Sequence, residues 1–274
     1  MKRPRLRTFL VAPVVLFALF YTGVALLHAF GDRSVPASGT TAWYPETIVI
    51  FGASGTAGDG ILKATLAEPA IRTIHVITRR ETPRIRQGIE SGKVQMTLHT
   101  DYLDYSAIRQ QVEGADAVYW AIGTSTFGVD EKTYGMIHVD FPSQFVREWL
   151  SVSRKSAISF HYISSSDISA DSSAMWAREK VRAEQALWDI SAATKLRVVF
   201  YRPDYIGPTA EQAHIGQNLL YWFFAPVNAA VRAKEIGQAM IEVSGRGQAL
   251  ESGTTLNTGK IIRYSKAYEQ RKIH

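Results

Sequence analysis

The chain of 274 residues contains no cysteine. That excludes disulfides, thiolate metal sites and a cysteine nucleophile, and it says nothing about redox compartment. The seven histidines lack metal-ligand spacing, so no metal is expected. Positive charge is scarce outside one end. The formal net charge is +6, yet Lys2, Arg3, Arg5 and Arg7 supply four of it and leave +2 for the rest. No basic stripe remains that would suit nucleic acid. Internal repeats are absent, and so is any sign of a second globular domain. Hydrophobic residues make up 46% and charged residues 20%, the balance of a globular chain. Its length is enough for one large α/β domain with a well-buried core.

The segment poorest in charge is residues 8–31, an uncharged and mostly apolar run behind a basic head. It is about long enough to cross a bilayer core as a helix. A secretory signal usually has a shorter apolar region, although Val35-Pro36-Ala37 passes for a small-residue cleavage site. The length favours an uncleaved single-pass anchor over a cleaved signal. The lack of a polar face argues against a buried helix of a soluble protein. The chain therefore divides into a head and anchor (1–31), a Gly/Ser/Pro/Thr-containing linker (32–45) and a globular domain (46–268). Charge bias puts the head in the cytoplasm and the domain on the other side.

The strongest local signal is Ile48-Val49-Ile50-Phe51 running into Gly52-Ala53-Ser54-Gly55-Thr56-Ala57-Gly58, with a helical pattern after it. Strand, glycine turn and helix start form a phosphate cradle. The glycines let the backbone turn and approach a pyrophosphate, and the helix N-terminus offers free N–H groups and a positive dipole end. The implied ligand is a dinucleotide, held by Gly52, Ser54, Gly55, Thr56, Ala57 and Gly58. Such a ligand is normally plentiful in the cytosol, which pulls against the topology read from charge.

Further β-type runs occur at 73–77, 94–98, 117–121, 158–163 and 197–201, with helical spacing between them. Ala183, Ala186, Leu187 and Ile190 show it, as do Ile236, Ala239, Met240 and Val243. Strands alternating with helices imply βαβ units, hence a doubly wound parallel sheet with helices on both faces. Ligands of such sheets bind at the carboxyl ends of the strands. The second strand ends at Thr78-Arg79-Arg80. An acidic residue near there would select NAD, whereas Arg79 or Arg80 suits the 2′-phosphate of NADP, so NADP is favoured over NAD. Asp101 and Tyr102 follow the third strand, where Asp101 is placed for an adenine amine. Asp104 is placed to cap the helix that starts near Tyr105. Ala121-Ile122-Gly123 follows the fourth strand, and its glycine lets the backbone pass close to a cofactor.

Together these residues resemble the atypical or extended short-chain dehydrogenases/reductases. The likeness rests on the glycine turn, Asp101, Ala121-Ile122-Gly123, Tyr162-Ile163-Ser164-Ser165-Ser166, Lys180, and Tyr201-Arg202-Pro203 with Ile206-Gly207-Pro208, and covers about residues 46–265. It implies a Rossmann fold, a nicotinamide cofactor and hydride transfer to or from a carbonyl or alcohol. In that family a Tyr-x-x-x-Lys pair does the proton chemistry, the lysine holding the nicotinamide ribose and lowering the tyrosine pKa. Here Lys180 matches the lysine and Trp176 stands where the tyrosine is expected. An indole N–H donates a hydrogen bond but gives up no proton at neutral pH. Catalysis then falls to other groups: Ser164 or Ser165 positioning a substrate oxygen, Asp167 as acid, or Tyr205 from a neighbouring loop. Otherwise the chain binds NADP(H) without turnover. A surface Lys180 paired with Glu184 one turn on is the structural alternative for that lysine.

The substrate of this family sits on the segment after Gly207-Pro208. Here that segment holds Leu219-Leu220-Tyr221-Trp222-Phe223-Phe224-Ala225-Pro226-Val227, too short to span a bilayer. It reads either as a helix packing the core edge or as an apolar pocket or membrane-facing lid. The second reading implies a lipophilic small-molecule substrate.

Overall fold

A computed structural model describes residues 6–30 and 44–272. The expected linker falls almost wholly outside them. An apolar helix, α1 (Leu6–Phe30), precedes the domain. Among the described residues it is the one helix long and apolar enough to cross a membrane, over Pro13–Phe30.

The domain then runs β1 (Thr47–Phe51), α2 (Thr56–Leu66), β2 (Thr73–Thr78), α3 (Pro83–Glu90), β3 (Val94–Leu98), α4 (Arg109–Val112) and β4 (Ala117–Trp120). It continues with α5 (Glu131–Gly135), a π-helical turn (Met136–Asp140), α6 (Phe141–Val152), β5 (Ile158–Ile163), α7 (Met175–Ser191) and β6 (Leu196–Arg202). The last part is β7 (Tyr205–Gly207), α8 (Ile215–Phe224), β8 (Ala230–Arg232), α9 (Ala233–Gly245), β9 (Thr254–Asn257) and α10 (Thr258–Arg271). The five further strands read from the sequence are present, with ends shifted by at most one residue.

Seven strands form one parallel sheet in the order β3-β2-β1-β4-β5-β6-β9. The chain winds outward from β1 to β3, returns to β4 beside β1 and winds the other way. That order is the doubly wound Rossmann arrangement, and its switch point lies between β1 and β4. β7 and β8 pair separately beyond the carboxyl end of β6.

Both faces of the sheet are covered, so its central strands read as continuous apolar runs rather than alternating ones. One core joins Ile48, Ile50 and Val76 to Ile61 of α2, Met240 of α9 and Ile261 of α10. The other joins Val49, Phe51 and Trp120 to Phe145 of α6 and Leu187 of α7. The expected apolar spacing thus falls on real core faces: Ala183 and Leu187 point into one core, Ile236, Ala239, Met240 and Val243 into the other.

Candidate active site

The glycine turn caps the carboxyl end of β1 at the switch point. Gly52 has φ +77°, and a Cβ there would lie 2.5 Å from the Ala121 carbonyl oxygen. Only glycine permits both the left-handed backbone and that approach of the first and fourth strand ends. Gly55 is the N-cap of α2 and carries no side-chain cap, so the first amide groups of α2 are left for a ligand. Gly58 has a different role. It is buried in the first turn of α2, where a Cβ would sit 2.0 Å from the Gly52 carbonyl oxygen. Its missing side chain lets the helix close onto the loop.

Gly52, Ser54, Gly55, Arg79, Arg80, Tyr102, Ala121 and Gly123 line one cleft of about 330 Å³. Arg79 and Arg80 are exposed at its edge, and neither has an ion-pair partner among the described residues. Elsewhere the domain pairs its arginines readily, as in Arg84–Asp59, Arg178–Glu131 and Arg202–Glu184. Asp101 is exposed and outside the cleft walls, and its carboxylate accepts the Leu103 N–H at 3.0 Å. Asp104 likewise accepts from Ser106 N–H at 2.8 Å, at the head of a short 3-10 turn rather than a full helix. Thr56 and Ala57 open α2 half-buried, and with Gly58 they lie behind the cleft walls.

The proton-handling candidates collect at the carboxyl end of β5. Ser164 is buried with a hydroxyl that has no partner, while Ser165 is half-buried beside it. Lys180, in α7, is buried. Its Nζ donates to the Tyr162 hydroxyl at 3.3 Å and to the Ile163 carbonyl at 3.0 Å. Burial pushes the Lys180 ammonium down to about 7, against the pull of Glu184. The alternative reading, a surface Lys180 paired with Glu184, does not hold. Glu184 is gripped instead by Arg202 of β6 through two hydrogen bonds of 2.9 and 2.5 Å. Trp176 is half-buried one turn before Lys180. Asp167 is exposed, with φ +53°, and the Tyr205 hydroxyl is engaged with the Gln217 carbonyl at 3.2 Å.

One site residue escaped the sequence. His138, in the π-helical turn, is buried beside the cleft. The Thr124 N–H donates to its Nε2 at 3.4 Å, and its backbone carbonyl accepts the Tyr162 hydroxyl at 3.0 Å. A chain of contacts thus runs from Lys180 through Tyr162 to the His138 backbone. Burial and the nearby Lys180 hold the imidazole neutral, with its pKa pushed down to about 2. The one sequence signal was its position four residues after Tyr134, whose ring lies 4.1 Å away.

The sequence model of the NAD dependent epimerase/dehydratase family matches residues 48–238. The chain belongs to this family. Several solved structures share the fold of this chain at low identity. An oxidoreductase of the short-chain dehydrogenase/reductase family from Burkholderia thailandensis is 16% identical with a TM-score of 0.62, covering 84% of this chain and 98% of its own. The UDP-glucuronic acid 4-epimerase from Bacillus cereus in complex with NAD is 16% identical with a TM-score of 0.59, covering 77% of each chain. A 3-oxoacyl-[acyl-carrier protein] reductase from Brucella melitensis in complex with NAD is 15% identical with a TM-score of 0.58, covering 81% of this chain and 98% of its own. No protein of curated function matches the chain by sequence. As a family member it is an extended short-chain dehydrogenase/reductase by fold, with a tryptophan where the resemblance calls for a tyrosine.

Proposed function

We propose that this family member is an NADP-dependent oxidoreductase acting on a carbonyl or alcohol, anchored by α1, with an apolar small molecule as substrate. The observation that carries the cofactor reading is the pair Arg79 and Arg80, without an ion-pair partner among the described residues and at the edge of the cleft that also holds the glycine turn. Two free guanidinium groups beside a pyrophosphate cradle suit a ribose 2′-phosphate. The cradle itself fits a dinucleotide, because the turn at Gly52 and the uncapped start of α2 at Gly55 leave backbone amide groups beside the cleft with no side chain over them. When bound, the nicotinamide supplies or accepts the hydride. The protein's own part is then to hold and move a proton. Ser164, with its unpartnered hydroxyl, orients a substrate oxygen. Lys180, whose pKa lies near neutrality, binds the ribose and exchanges a proton at Nζ.

Titration of the full chain in detergent with NADPH and NADH tests this. NADPH is expected to bind more tightly, and Arg79→Ala with Arg80→Ala is expected to erase that preference, weakening NADPH about tenfold or more and sparing NADH. Failure of both dinucleotides to bind at millimolar concentration would sink the reading. A preference for NADH would remove only the role of the arginines.

Trp176 favours a second reading, a protein that binds NADP(H) and senses its state without turnover. The two readings part on Trp176→Tyr. A sensor that lost its acid should gain carbonyl reduction on restoring the tyrosine. An enzyme using Lys180 and Ser164 should already oxidise NADPH with some carbonyl and gain little.

A further inference from the structure

Helix α8 contains no buried residue. Ile215, Leu219 and Trp222 are 92%, 65% and 65% exposed and fall on one stripe by their i, i+4, i+7 spacing. Phe223 and Leu220 widen it, each close to half exposed. The other side of the helix packs against β7 and β8, with Tyr221 under the Arg232 guanidinium at 3.5 Å and Phe224 against Tyr205, and none of it lines the cofactor cleft; an apolar face left bare in this way marks a contact with something else.

Its neighbour is α1. The Tyr21 hydroxyl donates to the Phe223 carbonyl at 2.5 Å, the Tyr21 and Phe223 rings stack at 5.3 Å, and Phe17 stacks on Phe223 at 6.5 Å. At the usual helical rise, Tyr21 stands about 14 Å from the Phe30 end of α1. A bilayer crossed by α1 therefore reaches α8. Beyond this contact a groove of about 680 Å³ separates the second half of α1 from α10. Ala25, Leu26 and Ala29 form its apolar wall, and Arg263 and Lys266 stand opposite. Among the described residues neither cation makes an ion pair or side-chain hydrogen bond, and Lys266 only feels Glu235 at longer range. An apolar wall facing two free cations, beside exposed aromatics, is the chemistry of a membrane interface with anionic lipid.

We propose that α8 and this groove form a second membrane contact. α8 dips into the leaflet crossed by the second half of α1, to the depth at which Tyr21 meets Phe223, and Arg263 and Lys266, beside the end of α1 nearer Phe30, hold the anionic headgroup of a lipid from that leaflet. The contact is independent of the cofactor reading and places the region after β7, on the cleft end of the sheet, against lipid.

The absence of cysteine makes the test direct, since one introduced thiol carries a nitroxide. The full chain is reconstituted in phosphatidylcholine vesicles with and without phosphatidylglycerol. Labels are placed at Leu219→Cys, Trp222→Cys, Leu19→Cys on α1 and Glu90→Cys on α3. Collision with oxygen, against a water-soluble nickel chelate, reports immersion. The labels on α1 and α8 are expected to favour oxygen and the label on α3 nickel. Labels at both 219 and 222 as wet as that at 90 would overturn the placement of α8. If the label at 19 were wet as well, the anchor would fall with it. Spin-labelled phosphatidylglycerol should associate with the chain several-fold more than phosphatidylcholine. Arg263→Ala with Lys266→Ala should bring that ratio to parity. Parity in the unmodified chain, or loss of the preference on adding millimolar inorganic phosphate, would overturn the headgroup site.

Discussion

A lysine ammonium is costly to bury, and Lys180, near the carboxyl end of β5, shows how the cost is met. Its Nζ has two oxygen partners, Tyr162 and Ile163, and no carboxylate within hydrogen-bond reach. The folded state accordingly holds its proton less tightly than the unfolded chain, with a pKa of about 7 against 10.5. Between those values the unfolded state binds more protons, so this group makes stability rise with pH from about 7 to about 10.5 and contributes no slope below 7. Lys180→Met removes the slope. The variant should compare best with the unmodified chain at pH 6 and lose ground toward pH 9.5, by up to about 1.4 kcal/mol per pH unit, in thermal unfolding across that range. A pH-independent difference would mean that Lys180 is not buried as described. The position of Lys180 was legible through its spacing from Trp176, but its surroundings were not. An i, i+4 pair with Glu184 is a local rule, and Arg202, distant in sequence, outcompetes it with a two-pronged grip on the same carboxylate.

At the level of elements, the turn between β1 and α2 is braced from outside. Asp59, buried in the first turn of α2, accepts from Arg84 of α3 at 2.7 Å and from Thr209, after β7, at 2.6 Å. Glu211 extends the brace, pairing with Arg84 at 3.1 Å and Lys63 at 2.6 Å. Helices from two βα units and the loop entering the α8 region thus share one carboxylate. Asp59→Ala leaves a largely buried guanidinium and a buried hydroxyl without it and should destabilise the domain by about 3 kcal/mol. Thr209→Val should cost about 1 kcal/mol. Thermal unfolding of the full chain measures both, and equal losses would contradict the central place of Asp59. None of this was visible in sequence, because its members lie up to 152 residues apart. Long apolar strands were legible for the opposite reason, since their burial on both faces is written in consecutive residues. Short β9, half polar as Thr254-Thr255-Leu256-Asn257, was not. Nor was the π-helical turn that sets His138 beside the cleft, where no composition marks the extra residue in the turn.

For the whole molecule, the sheet order fixes where chemistry can happen and the N-terminal helix fixes what it faces. Every residue of both buried cores lies within residues 48–268. The side chains of α1 described over Pro13–Phe30 are exposed or half-buried. The domain therefore owes its stability to itself. A chain of residues 44–274 should unfold cooperatively, with a free energy within about 1 kcal/mol of the full chain, since the Tyr21–Phe223 contact is the main loss. Removing α1 also bares the rest of the α8 face and the side of the groove that carries Arg263 and Lys266. Sedimentation of this shortened chain should then show self-association that mild detergent reverses, and flotation should show it still binding anionic vesicles. Cooperative unfolding with no self-association and no vesicle binding would leave the fold intact and remove α8 from the membrane. Loss of cooperative unfolding would mean that α1 is part of the core. The sequence pointed to an anchor and to an aromatic segment read as a core-edge helix or as an apolar pocket or membrane-facing lid, without placing the two in contact. Their union depends on β7 carrying the chain past the carboxyl end of β6 before α8 begins, a matter of topology that no local pattern encodes.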